Sequence, residues 1–179
     1  TLGENHPDYA LSLNNIAQTY SNLGDYQKAL ELNLQALYIY KNTFGENHPG
    51  YALSLSNTAL SCFDLGDYQK ALEFNLLALN IRKNTLGENH PDYALSLNNI
   101  AHFYSSLGNY QKALELDFQA LNIRKNILGE NHPDYALSLG NIASSYSDLG
   151  DYQKALKFNL QALNFRKNIL GENHPDYAL

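Results

Sequence analysis

Five histidines recur at His6, His48, His90, His132 and His174, each inside the string Gly-Glu-Asn-His-Pro, with Glu4 and Asp8 flanking the first of them. Imidazoles beside carboxylates are a potential metal-ligand set, but the spacing argues against one. Zinc ligands sit about 2 Å from their metal, so all of them must lie within a few Å of each other. Histidines one repeat apart stand roughly one helix-packing step apart, ~10 Å. The expectation is therefore loop geometry for the histidines and helix capping for the carboxylates, with no metal site. Serine, histidine and aspartate are abundant but show no order of nucleophile, base and orienting acid, and no glycine-rich phosphate loop follows a predicted strand. The single cysteine, Cys62, has no basic partner at helical spacing and reads as a small buried hydrophobe. No catalytic residue and no cofactor are expected.

The amides offer a different chemistry. Asn15, Asn57, Asn99 and Asn141 recur at one position, and a carboxamide carries both a donor and an acceptor, so it can grip a peptide unit in both directions. If helices bearing them pack at ~10 Å, and an extended chain rises about 3.3 Å per residue, one asparagine meets roughly every third residue of a bound segment. Two other readings stand beside this one: bonding to an adjacent helix, or simple copying with the repeat.

These residues are positioned by a repeat. Pro7, Pro49, Pro91, Pro133 and Pro175 fall 42 residues apart, as do Gly24, Gly66, Gly108 and Gly150, and residues 1–42 laid over 85–126 agree at about 34 positions. The units are 1–42, 43–84, 85–126 and 127–168, with a partial fifth at 169–179, read together as one domain over 1–179. In the first unit a helix starts at Pro7, where a missing N–H costs nothing, and His6 before it is pushed toward extended geometry. Leu13, Ile16, Ala17 and Tyr20 mark one face. Gly24 then suits a left-handed helix end and Asp25 a cap for the next helix, so the two helices are antiparallel neighbours. The second helix shows Tyr26, Ala29, Leu30, Asn33, Ala36 and Leu37 on one stripe, with Leu32, Leu34 and Ile39 as further apolar surface. It is expected to be buried on more than one side and to close at Gly45.

The string NIAQTYSNLGDYQKALELNLQAL, residues 15–37, resembles the tetratricopeptide repeat (TPR) consensus in its small residue, Tyr, Gly-Asp-Tyr, Ala and Ala. The longer unit, with GENHPDYA and a second helix extended through IRKN, is most similar to the 42-residue repeats of kinesin light chains and related bacterial arrays. Asn33, Asn75, Asp117 and Asn159 depart from a usual aromatic, and Lys41, Lys83, Lys125 and Lys167 stand where shorter repeats close with proline. The resemblance implies an all-α, right-handed solenoid of antiparallel helix-turn-helix repeats whose first helices line a concave binding face. It also implies that asparagines at the Asn15 position hold ligand backbone. On that face the stripe Leu11, Asn14, Asn15, Gln18, Asn22 is free of the core pattern. Differences between units concentrate near its end: Gln18, Leu60, His102 and Ser144 at one position, and Thr19, Ser61, Phe103 and Ser145 at the next. Ser21, Phe63, Ser105 and Ser147 vary at another, and Asn22 becomes Asp64 in the second unit. The candidate peptide contacts are therefore Asn15, Asn57, Asn99 and Asn141 with Gln18, Leu60, His102, Ser144, Asn22 and Asp64. Variation of this kind suits a ligand-reading surface and suits drift on a solvated face better.

Composition narrows the partner. The net charge is −6 and the pI about 5.4, which disfavours nucleic acid and anionic membrane, and no apolar run approaches the ~20 residues of a membrane span. The stripe lacks the basic residues of carboxylate-clamping TPR domains, so a neutral to mildly basic protein or peptide segment is expected. A lone cysteine fits a reducing, cytoplasmic setting. The start at Thr1 without methionine reads as a piece of a longer array. The alternative function is architectural: terminal units without polar caps expose the face their neighbours bury, which would permit head-to-tail homo-oligomers.

Overall fold

A computed structural model describes residue 3 and residues 5–170, with side chains through 167; the partial fifth repeat, with His174 and Pro175, lies outside the described residues. Among them are eight α-helices and no strand: α1 Pro7–Asn22, α2 Tyr26–Phe44, α3 Pro49–Asp64, α4 Tyr68–Leu86, α5 Pro91–Ser106, α6 Tyr110–Leu128, α7 Pro133–Asp148 and α8 Tyr152–Leu170. Each repeat is one helix-turn-helix hairpin, and the second helix of each of the first three repeats ends two residues into the next sequence unit, where Gly45, Gly87 and Gly129 close it. The chain divides into two compact units, Thr1–Gly87 and Glu88–Leu179, each holding two hairpins.

The starts of the first helices are built by the recurring histidines. His6 takes an extended backbone (φ −81°, ψ 141°) and its Nδ1 accepts the Asp8 N–H at 3.2 Å. His48, His90 and His132 do the same for Gly50, Asp92 and Asp134. The capping role expected of the carboxylates therefore belongs to imidazole, and the ring faces its own helix. The tight turn follows from Gly24, at φ +82°. The Asp25 N–H reaches back to the Tyr20 carbonyl and the Gly24 N–H to that of Ser21, the paired bonds of a Schellman end. Asp25 then caps α2 by accepting from the Lys28 N–H at 3.1 Å.

Alanine sets how closely the helices approach. Ala17 of α1 and Ala29 and Ala36 of α2 have no exposed surface, and they share one core with Leu13, Ile39, Tyr51 and Leu55. A methyl side chain lets two backbones close, while the leucines fill the space beside it. Three expectations fail, the first being Tyr26, which is 38% exposed at the start of its stripe. Ile16 is 47% exposed, although its counterpart Ile142 is fully buried, because α6 packs before α7 while among the described residues no helix packs before α1. Leu34, expected to add buried surface, is exposed, as is Leu76 at the same position.

Candidate functional site

Each unit carries one cleft between its two first helices, floored by the second helix of its first hairpin. In the first unit the cleft lies between α1 and α3, measures about 430 Å³, and gathers Asn15, Gln18, Asn57, Leu60 and Asp64. In the second it lies between α5 and α7, measures about 270 Å³, and gathers Asn99, His102, Asn141 and Ser144. Nine of the ten candidate residues thus fall on these two clefts. Asn22 does not; its Oδ1 accepts from Gln18 Nε2 at 3.0 Å. Exposed leucines edge both openings, Leu11 and Leu53 in one, Leu95 and Leu137 in the other. The mouths are therefore part amide and part apolar.

The next position along does not read a ligand. Ser61, Phe103 and Ser145 are buried, leaving only Thr19 exposed. Ser61 Oγ accepts from Asn33 Nδ2 at 2.8 Å, and Ser145 donates to Asp117 Oδ2 at 2.7 Å. Two residues further, Ser21 donates to Asp64 at 2.7 Å and Ser105 donates to Asp148, so each pair ties two neighbouring first helices together. Part of the unit-to-unit variation is therefore internal wiring.

The cleft floors come from residues that the sequence pattern marks only as departures in packing. In α2 they are Asn33, with Tyr40 buried two turns on; in α6 the same positions are Asp117 and Arg124. A neutral pair in one unit is a charged pair in the other. Asp117 Oδ1 accepts from Asn98 Nδ2 at 2.9 Å. Burial pushes its carboxyl up to about 6, against the pull of Ser145, Asn98 and the Arg124 charge. Burial lowers the Arg124 guanidinium, which Asp134 and Asp117 hold up, and its Nη1 donates to Ser138 Oγ at 2.7 Å and to the Asp134 carbonyl at 3.3 Å.

Cys62 is 2% exposed and burial raises its thiol, the environment of a packing residue and not of a nucleophile. Among the described residues no group of three or more His, Cys, Asp or Glu could hold a metal ion, and no helix is long and apolar enough to cross a membrane.

Comparison with known proteins places this geometry. No curated protein matches the sequence at a significant level. Solved structures do. A kinesin-light-chain-type protein of Podosopora anserina with nearly identical TPR-like repeats superposes with a TM-score of 0.82 at 28% identity, over 96% of this chain and 82% of that one. BtubC (BKLC) from P. vanneervenii gives 0.81 at 27% identity, over 95% and 68%. The apo form of RapI gives 0.75 at 21% identity, over 90% and 57%, a likeness of fold alone. These neighbours and the eight paired helices make the chain an all-α solenoid of TPR type, a fold that generally serves protein–protein interaction as a scaffold and not catalysis. The family model for the tetratricopeptide repeat matches residues 8–84, 59–117 and 92–168, and the chain belongs to that family.

Proposed function

We propose that the four hairpins act as one domain that binds an extended peptide segment of a protein partner along its first helices. The observation that carries this reading is the pair of clefts, each opening between consecutive first helices with asparagine amides and leucines at the mouth. The Asn57, Asn99 and Asn141 side chains are half-buried and Asn15 is exposed, so all four amides are reachable by a ligand backbone. The first helices contain no lysine or arginine, while Asp64 and Asp148 line the clefts, which favours a neutral to mildly basic segment.

Replacing Asn57 and Asn99 together by alanine is expected to weaken capture of a bound peptide on the order of 10-fold or more, from the loss of two sets of amide hydrogen bonds. Stability should stay within about 1 kcal/mol, as for other accessible positions. Peptide titration followed by fluorescence anisotropy, with thermal melts alongside, checks both. Unchanged affinity with a large fall in stability would make these asparagines structural and sink the reading.

A second reading rests on the two ends. Ile16 of α1 is exposed, as are Leu156 and Leu163 of α8 at 60% and 38%, whereas the equivalent Leu114 and Leu121 of α6 are 7% and 8% exposed. Positions that α6 turns toward α7 are thus open on α8, and α1 carries the complementary face. Head-to-tail association would cover both, and a heterologous contact of that kind does not have to close. Sedimentation velocity over a range of concentrations should show species growing beyond the monomer. A monomer throughout would remove self-association.

A further inference from the structure

The first-unit cleft has a polar floor that the protein leaves unanswered. Asn14 of α1 and Asn33 of α2 are 6% and 5% exposed, and both line the cavity. Neither Nδ2 nor Oδ1 of Asn14 has a hydrogen-bond partner, and neither does Oδ1 of Asn33. The other end of Asn33 is fixed, since its Nδ2 donates to Ser61 Oγ at 2.8 Å and to the Asn57 carbonyl at 3.2 Å. Exchanging its amide ends would set its oxygen against the Asn57 carbonyl, so the open atom is the carbonyl oxygen. Buried amides are almost always satisfied. Here one amino group and two carbonyl oxygens are buried without partners, on residues that line a cavity of about 430 Å³.

The second unit shows the same two positions bonded to each other, with only Oδ1 of Asn98 left unpartnered. There Asn98 stands for Asn14 and Asp117 for Asn33, and Asn98 Nδ2 donates to Asp117 Oδ1 at 2.9 Å. The cleft above them is smaller, about 270 Å³. The floor residue is asparagine where Asn14 is unpartnered and aspartate where Asn98 is bonded.

We infer that the first-unit cleft is a pocket for a primary carboxamide, the side chain of a glutamine or asparagine in the bound segment. The unmet groups are complementary to that chemistry. A primary amide presents its N–H and C=O on the same side, so it can pair reciprocally with Asn14, and its second N–H is left for Asn33 Oδ1. A backbone amide holds N–H and C=O on opposite sides and cannot form that reciprocal pair. A carboxylate brings only acceptors to two carbonyl oxygens and the Asp64 carboxylate. An ammonium brings only donors and leaves the Asn14 amino group unanswered. Leu11, Leu53 and Leu60 supply apolar wall for the methylenes behind the amide. A site built to hydrogen-bond one group rejects analogues that leave its buried atoms unpaired. This inference rests on the peptide-binding reading and adds a side-chain preference to it.

The test is selection of random displayed peptides on the intact chain, in parallel with its Asn33→Asp variant. Aspartate already occupies that position in α6, so the variant should fold and draw Asn14 into the bond that Asn98 makes. A second variant, Asn14→Ser, copies the residue that α3 carries there, Ser56, and removes the amide outright. Peptides enriched on the unmodified chain should share a glutamine or asparagine at one position. Changing that residue to glutamate should weaken binding on the order of 10- to 100-fold, and both variants should lose this discrimination while still binding the segment. Enriched peptides without a shared carboxamide, or a preference that survives in both variants, would overturn the pocket and leave peptide binding standing. Enrichment of no peptide at all would overturn both.

Discussion

Replacing Leu55 by alanine is expected to cost about 3 kcal/mol of stability, within the range of about 2–5 kcal/mol for a leucine truncated in a well-packed core. Leu55 is 1% exposed and belongs to a core drawing on all four helices of the first unit, among them Leu13 of α1, Ile39 of α2, Tyr51 of α3 and Ile81 of α4. Its counterparts Leu13, Leu97 and Leu139 are 5%, 2% and 3% exposed, so the position is the leucine of the core in every repeat. Alanines at Ala10, Ala17, Ala29 and Ala36 hold the neighbouring backbones close, and backbones already in contact cannot move inward to fill the void. Urea unfolding followed by helix circular dichroism measures the loss. Leu53, two residues away and 44% exposed, is the control, and its alanine variant should lose well under half as much. Similar losses at both positions, or a loss below about 1 kcal/mol at Leu55, would mean that this face of α3 does not carry the packing assigned to it.

The hairpins were legible because proline, glycine and alanine act locally. Pro7 starts a helix and Gly24 ends one through backbone geometry, whatever surrounds them, and Ala17, Ala29 and Ala36 recur wherever two helices close on each other. Burial was less legible. The stripe through Ile16 fixes which way that side chain faces, but only a preceding helix can cover it, and no periodicity reports a neighbour. Leu34 fails for the same reason: being apolar on the far side of a helix does not oblige another element to lie there. The histidines show a third limit. Nδ1 of His6 caps α1 in the manner usual for serine, threonine, aspartate or asparagine, and spacing argued against a metal without pointing to the cap.

The candidate strip divides along the same line. Asn15, Asn57, Asn99 and Asn141 could be placed because they sit on the first helix, off its core stripe. Asn33 and Asp117 belong to second helices, where a polar residue in an apolar stripe reads as a change in packing. Only the fold shows that this position forms the floor of the cleft between successive first helices. Ser61 and Ser145 were misplaced in the opposite sense. They vary between repeats like surface residues, yet each is buried and bonded to the floor residue of the preceding second helix.

Replacing Asp117 by asparagine is expected to stabilise the protein at neutral pH by about 3 kcal/mol and to do nothing below pH ~4. The folded carboxyl sits at about 6, against an ordinary 3.8. Between those values the folded state keeps a proton that the unfolded chain has released. This contribution is therefore complete below the unfolded value and is lost as pH rises through the folded one. The gap corresponds to about 3 kcal/mol. Asparagine is nearly isosteric with the protonated acid, so at low pH the two proteins should be equally stable. Its hydrogen bonds have places to go: Oδ1 can still accept from Asn98, and Nδ2 can donate to Ser145 as Asn33 does to Ser61. Arg124 loses an attraction, but Asp134 does more than Asp117 to hold up its charge. Urea unfolding of both proteins at several pH values from 4 to 8 gives the difference directly, and other carboxylates cancel from it. The difference should rise through pH 4–6 and then level off; one that is flat, or that favours aspartate at pH 7, would show that the cleft floor stabilises the ionised carboxylate and that burial is not the governing effect there.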